Sequence, residues 1–411
     1  MPDRPGLWRN RNFLVLFFGQ WVSRMGDRFF TMAVFWFVFN ATHSRFDLGV
    51  VGTVGSAAAL FGLVSGTLVD RWDHRRTMMA ADGLRALIAL GLGVLALAGH
   101  MGVATLIGLV ACLRLVGTVF TPAEVALLPQ VVPADDLPAA NGANQSAQST
   151  AQLAGAAAGG ALLALVGPTV LFFANGLSFA VSVLTLGWLR LGPRRQRAAP
   201  GGTGRVRGFL RDLLAGHRLI WHHVFLRRLV FVGVVVNFAM MPLEVLDLAW
   251  VREELHQGSV AYALFGMAII AGLIASGLVA GRLASRVPLV TLLTLGLSSM
   301  GLFIGVLSRI PLLVPDLLML VGLGFSAGVV NAPLLTLAQR IIPPALMGRV
   351  VGTMQALMGA STPLGALVAG ALASALPLGT VFLGAGVLAL LGGGLLLGVP
   401  SSALEASSVT G

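Results

Sequence analysis

The chain has 411 residues, of which 56% are hydrophobic and 10% charged, and its formal net charge is +11. A soluble domain carries about 25% charged residues, so this composition excludes one and points to a polytopic membrane protein. Barrel strands would alternate apolar and polar residues; these apolar runs are continuous, so the expected fold class is all-α.

A helix needs roughly 20 apolar residues to cross hydrocarbon, and charges, glycines and prolines cut the runs to that length. In chain order the first half reads as spans Phe13 to Phe39, Leu48 to Val69, Thr77 to Ala98, Val103 to Phe120, Ala139 to Val166 and Thr169 to Leu189. Gly99-His100-Met101-Gly102 separates the third from the fourth, and Gly167-Pro168 the fifth from the sixth. The second half reads as Leu229 to Val251, Ser259 to Gly281, Val287 to Ser308, Leu317 to Gln339, Met347 to Leu376 and Gly379 to Val399, with Pro377 before the last. The count is about twelve transmembrane helices. It implies two pseudo-symmetric six-helix bundles, residues 1–191 and 227–411, joined by a basic linker at 192–226.

Arginines set the expected orientation, because positive residues in short loops favour the cytoplasm. Arg4, Arg9 and Arg11 precede span one, Arg71, Arg75 and Arg76 follow span two, and a dense group runs from Arg190 to Arg228. The opposite loops hold Arg45, Arg252 and Arg309. Both termini and the linker are therefore expected in the cytoplasm, the protein sitting multi-pass in the inner (plasma) membrane. Span one is too long for a cleaved signal peptide and carries Arg24, Asp27 and Arg28. Basic residues gathered at loops fit topology and contact with anionic lipid; nucleic acid is not an expected partner.

The linker opens as a flexible run and then alternates Phe209, Leu210, Leu213 and Leu214 with Arg211 and Arg218, as a helix lying on a lipid surface would. His217, His222 and His223 have no acidic or cysteine partner close by, so neither a metal nor another cofactor is expected. The single cysteine, Cys112, excludes an intrachain disulfide. All 27 basic residues are arginine, so no nucleotide-binding Gly-x-x-x-x-Gly-Lys run can occur.

Between spans two and three lies a short charged hinge, Gly66-Thr67-Leu68-Val69-Asp70-Arg71-Trp72-Asp73-His74-Arg75-Arg76. A weaker copy, Gly277, Gly281-Arg282 and Arg286, follows span eight. The hinge resembles motif A of the major facilitator superfamily at Gly66, Leu68, Asp70, Arg71, Arg75 and Arg76, and the likeness extends over nearly the whole chain. Asp73 stands where many members have glycine, as in the branch containing the enterobactin exporter and macrolide efflux proteins. Arg114 and Gly117 in span four, and Pro122 to Pro129 after it, add to the likeness. Gly155-Ala156-Ala157-Ala158-Gly159-Gly160 resembles the antiporter motif of drug exporters with its proline replaced; small residues at this spacing also serve ordinary close packing.

The resemblance implies a secondary transporter working by alternating access, not an enzyme. The expected function is proton-coupled export of hydrophobic or amphiphilic small molecules such as drugs or siderophores, by a monomer. A nutrient or peptidoglycan-fragment importer on the same fold is the alternative, and a non-transporting membrane sensor a further one. Motif A also implies a latch in which Asp70 caps span eleven, which opens at Pro343-Pro344 without a capping side chain of its own. Span five is preceded by Asp135 and Asp136.

Charges within spans are costly unless partnered, so they are candidates for coupling and substrate binding. Asp27 lies mid-way along span one with Arg24 and Arg28 beside it, Arg114 lies in span four, and Glu244 and Asp247 lie in span seven with Asn237. Asp27 is the first candidate for the coupled proton, since arginine keeps its own; it either titrates or is tied structurally to Arg24, Arg28 or Arg114. Asp27 and Glu244 are expected at similar depth, facing one cavity. Phe35, Trp36, Phe37 and Phe39 are expected to face lipid, or else aromatic substrate.

Overall fold

A computed structural model of the chain describes residues 6–69, 72–191, 220–342 and 346–396. Asp70 and Arg71 of the hinge, the surface helix expected in the linker, and Pro343-Pro344 lie outside the described residues.

Among the described residues every regular element is a helix. They are α1 (Arg11–Thr42), α2 (Arg45–Val69), α3 (His74–Leu97), α4 (Val103–Gly117), α5 (Phe120–Val131), α6 (Leu137–Val166), α7 (Pro168–Trp188), α8 (Val224–Ala249), α9 (Ser259–Arg286), α10 (Leu289–Leu307), α11 (Leu313–Ile341), α12 (Met347–Gly359), α13 (Ser361–Ala375) and α14 (Leu378–Gly394). Nine stretches among the described residues are long and apolar enough to cross a membrane, with α4 and α5 joined as Val103–Val131, and α12 and α13 as Val350–Ala375. α1 is not one of them, because Arg24, Asp27 and Arg28 interrupt its apolar run.

The fourth span does not end at Phe120 as expected. The segment Pro122 to Pro129 continues it as α5, burying Phe120, Ala123, Leu127 and Leu128. Pro122 falls in the first turn, where a helix needs no N–H from it.

The chain divides into two compact units. The first comprises Met1–His43, Ala58–Gly202 and Gly258–Leu264, the second Ser44–Ala57, Thr203–Gln257 and Phe265–Gly411. In the first, α1 packs on α6 and α7, and α3 on α7, around Phe13, Leu16, Met78, Phe120 and Leu186. In the second, α8 packs on α12, α13 and α14, and α10 on α11 and α14, around Phe225, Leu226, Leu293, Leu337 and Val350.

Glycines let backbones meet directly. A Cβ at Gly155 of α6 would lie 3.0 Å from the Met25 carbonyl of α1, and one at Gly160 would lie 2.0 Å from the Ala263 Cβ. In the second unit a Cβ at Gly324 of α11 would fall 1.9 Å from the Ile269 carbonyl, and one at Gly272 of α9 would fall 2.0 Å from that of Val321. Pro242 inside α8 has no N–H for the Phe238 carbonyl. Gly365 of α13 comes up against that carbonyl, so close that a Cβ there would lie 3.0 Å from the oxygen.

Loop ends of the second unit are tied by Arg45. Its Nε donates to Glu253 Oε2 (2.8 Å) and its Nη1 to the Ala373 and Leu376 carbonyls (3.1 and 3.3 Å), which end α13. α8 starts at His223, whose Nδ1 accepts from the Leu226 N–H (3.5 Å). Burial pushes the His223 pKa below its ordinary value, which keeps that nitrogen an acceptor.

Gly324→Ala forces two backbones apart, and overpacking of this kind costs about 1–3 kcal/mol. The expected result is a lower melting temperature for the purified variant in detergent. Gly277→Ala, where a Cβ meets nothing within 4 Å, is expected to leave it unchanged or raise it.

Candidate functional site

The charged residues of α1 are held by different partners from those expected. Arg85 Nη2 donates to both oxygens of Asp27 (2.9 and 3.1 Å), and Arg85 Nη1 donates to Asp82 Oδ1 (3.2 Å). Asp82 and Arg85 are three residues apart, so α3 presents them on one face. The guanidinium carbon lies 4.0 Å from the centre of the Phe179 ring on α7, an attractive stacking of cation on π-face. One cation is thus shared by two carboxylates and an aromatic ring drawn from α1, α3 and α7. Exposure is graded across the group: the side chain is 31% exposed at Asp27, 9% at Arg85 and 0% at Asp82.

Asp27 is not paired with Arg24, Arg28 or Arg114. Arg24 is drawn to Glu124 of α5 (2.7 Å), which is itself buried, and reaches the Asn144 carbonyl (3.4 Å). Arg28, adjacent to Asp27 in sequence, projects about 100° away around the helix. Its Cβ packs where Gly155 leaves room. Arg114 Nη2 donates to Thr31 Oγ1 (3.0 Å), and that hydroxyl donates to the Asp27 carbonyl (2.9 Å).

Glu244 is exposed on α8, and Asp247 Oδ1 accepts from the Leu248 N–H beside it (2.7 Å). Both belong to the second unit and Asp27 to the first. Asn237 donates to the Met358 carbonyl (3.3 Å). Phe35 and Phe39 are buried, which corrects the lipid-facing expectation: α1 packs on α6 and α7 and has little surface to spare.

At the hinge, Asp73 is the N-cap of α3, its Oδ1 accepting from the Arg76 N–H (2.8 Å). The departure from glycine therefore supplies a cap. Arg75 donates from Nε to the Leu186 carbonyl (2.7 Å) and from Nη2 to that of Gly187 (2.5 Å), closing the C-terminal end of α7. Arg76 is exposed, and Gly66 lies within α2. In the second copy, Gly277, Arg282 and Arg286 form the last turns of α9, with both arginines exposed. Leu346, the N-cap residue of α12, makes no side-chain cap bond, and Asp136 at the start of α6 makes none either.

Residues 16–361 match the sequence profile of the Major Facilitator Superfamily. The chain belongs to that superfamily. Its curated relatives include the multidrug efflux pump Tap of Mycobacterium tuberculosis (strain ATCC 25618 / H37Rv), 29% identical over 383 residues and 89% of each chain. Macrolide efflux protein A of Streptococcus pyogenes is 25% identical over 375 residues, covering 89% of this chain and 90% of that one. Among solved structures, the peptide transporter POT superposes with a TM-score of 0.75 at 14% identity, covering 98% of this chain and 97% of that one. This superfamily member is accordingly a multi-pass membrane transporter, not an enzyme.

Asp82, Arg85 and Glu124 were not among the residues expected at the site. The signal was present: an acid and a base three residues apart inside an otherwise apolar span are costly unless partnered.

The Asp27–Arg85 pair is expected to couple energetically. In melting experiments Arg85→Gln destabilises by stranding two carboxylates, and Arg85→Gln with Asp27→Asn costs less than the sum of the single changes. The difference is expected at roughly 0.5–3 kcal/mol in a double-mutant cycle.

Proposed function

We propose that the chain is a proton-coupled exporter of hydrophobic or amphiphilic small molecules, with the Asp27–Arg85–Asp82 group as its proton-binding site. The carrying observation is one guanidinium shared by two carboxylates, one on α1 and one on α3, the latter helix long and apolar enough to cross a membrane. Such a group holds one excess negative charge in a medium of low dielectric, so one added proton neutralises it. Asp27 is the partly exposed member and the one a proton reaches first. Arginine stays protonated throughout and positions the acids.

The relatives named as multidrug and macrolide efflux proteins support export rather than uptake. On this reading the chain has about twelve spans in two six-helix bundles, the motif A hinge with both termini faces the cytoplasm, and a monomer binds substrate and proton alternately. Glu244, Asp247 and Asn237 then supply polar groups on the second bundle. Protons and a cationic or neutral amphiphile compete for one site, and binding of either lowers the affinity for the other by the same factor.

Inverted vesicles containing the protein, with a panel of dyes, macrolides and siderophores, test this. Accumulation of at least one panel member is expected when a pH gradient, acid inside, is imposed, and is expected to collapse when the gradient is dissipated. Asp27→Asn is expected to abolish gradient-driven accumulation while substrate binding is retained. Gradient-driven entry into intact cells would instead mean uptake.

A further inference from the structure

The second unit carries a cavity of about 700 Å³ at the start of α8, lined among others by Trp221, Arg227, Arg228, Phe231, Leu357 and Leu395. Asp27, Asp82 and Arg85 are not among its lining residues.

Three properties define what fits it. The first is charge. Arg227 and Arg228 are adjacent and exposed, and among the described residues neither forms an ion pair with a carboxylate. Arg227 Nη1 donates to the Trp221 carbonyl at 3.4 Å, a long bond that leaves the rest of the fork free. The second is the apolar wall. Val230 and Val234 of α8 and Leu395, just after α14, extend the cavity wall, and Phe231 presents a ring that is 58% exposed. The third is depth. α8 opens the span Val224–Glu254, so the arginines stand at its polar end and Phe231 one turn further in. Trp221, 52% exposed, is the residue type that favours the headgroup level.

We propose that this cavity binds an anionic phospholipid, with its phosphate on the Arg227 and Arg228 guanidinium groups and the upper part of an acyl chain along Phe231, Val234 and Leu395. Guanidinium forks match phosphate oxygens geometrically, and basic pockets between spans are suited to lipid headgroups. A free phosphate would use the arginines but not the apolar wall. A second basic cavity, lined by Arg11, Arg75 and Arg190 in the first unit, is less suited, because Arg75 spends its donors on the end of α7.

The full-length protein in detergent, titrated with phosphatidylglycerol or phosphatidylcholine, decides the matter by native mass spectrometry and thermal melting. The wild type is expected to retain phosphatidylglycerol preferentially and to melt higher in its presence. Arg227→Gln with Arg228→Gln is expected to weaken that retention roughly ten- to thirtyfold, and the corresponding double change to Lys to keep most of it. Should the double Gln variant fail to fold, Arg228→Gln alone decides, with a smaller loss expected.

Equal retention by wild type and Gln variants would place the lipid elsewhere and overturn the proposal. Inorganic phosphate that protects as well as phosphatidylglycerol would reduce the cavity to an anion site and overturn it too. So would a wild type without preference between the two lipids.

Discussion

Hydrocarbon offers a polypeptide no hydrogen bonds, so each backbone N–H and C=O within a membrane must be matched inside the chain. Helices meet that demand along their length and fail at their ends. Here side chains complete several of those ends. Asn10 takes the Phe13 N–H at the start of α1, Asp73 takes that of Arg76 at the start of α3, and Arg75 and Arg45 satisfy carbonyls at the ends of α7 and α13. Arginine suits helix ends because its planar fork of five donors can bond two carbonyls at once. Asp73 and Arg75 of the motif A hinge thus both finish helices.

The same constraint governs charge. A carboxylate inside a membrane-spanning helix is tolerated where a cation meets it, and Arg85 meets two. Phe179 lies against the guanidinium face, so the cation is ordered by a ring as well as by oxygens. Lysine could supply the charge but neither the flat face nor the parallel donors. Exposure falls from Asp27 through Arg85 to Asp82, so the group has a wet end and a dry end.

Much of this was legible in the sequence. Composition and run length gave the helical membrane class, and the hinge residues gave the family. The glycines of α6 were readable as a packing surface, though not that Gly155 would accommodate the backbone of α1 and Gly160 the Ala263 methyl. The ion pairs were not legible. Nearness in sequence made Arg24 and Arg28 the natural partners of Asp27, whereas the actual partner is 58 residues away on α3. Pairing of charges across helices depends on rotation about each helix axis, which hydropathy does not encode. The burial of Phe35 and Phe39 was missed for the same reason.

The glycine contacts of the second unit bear on how it can deform. Where Gly324 meets the Ile269 carbonyl and Gly272 that of Val321, α9 and α11 touch backbone to backbone, with no layer of side chains to act as a lubricant. Two rods joined so closely slide and bend as one. α8 differs, because Pro242 omits a rung of its ladder and the five residues Trp250–Glu254 wind as a π-turn. The unit thus combines a stiff plank with a jointed rod, and bending stress within it gathers in the stretch between Phe238 and Glu254.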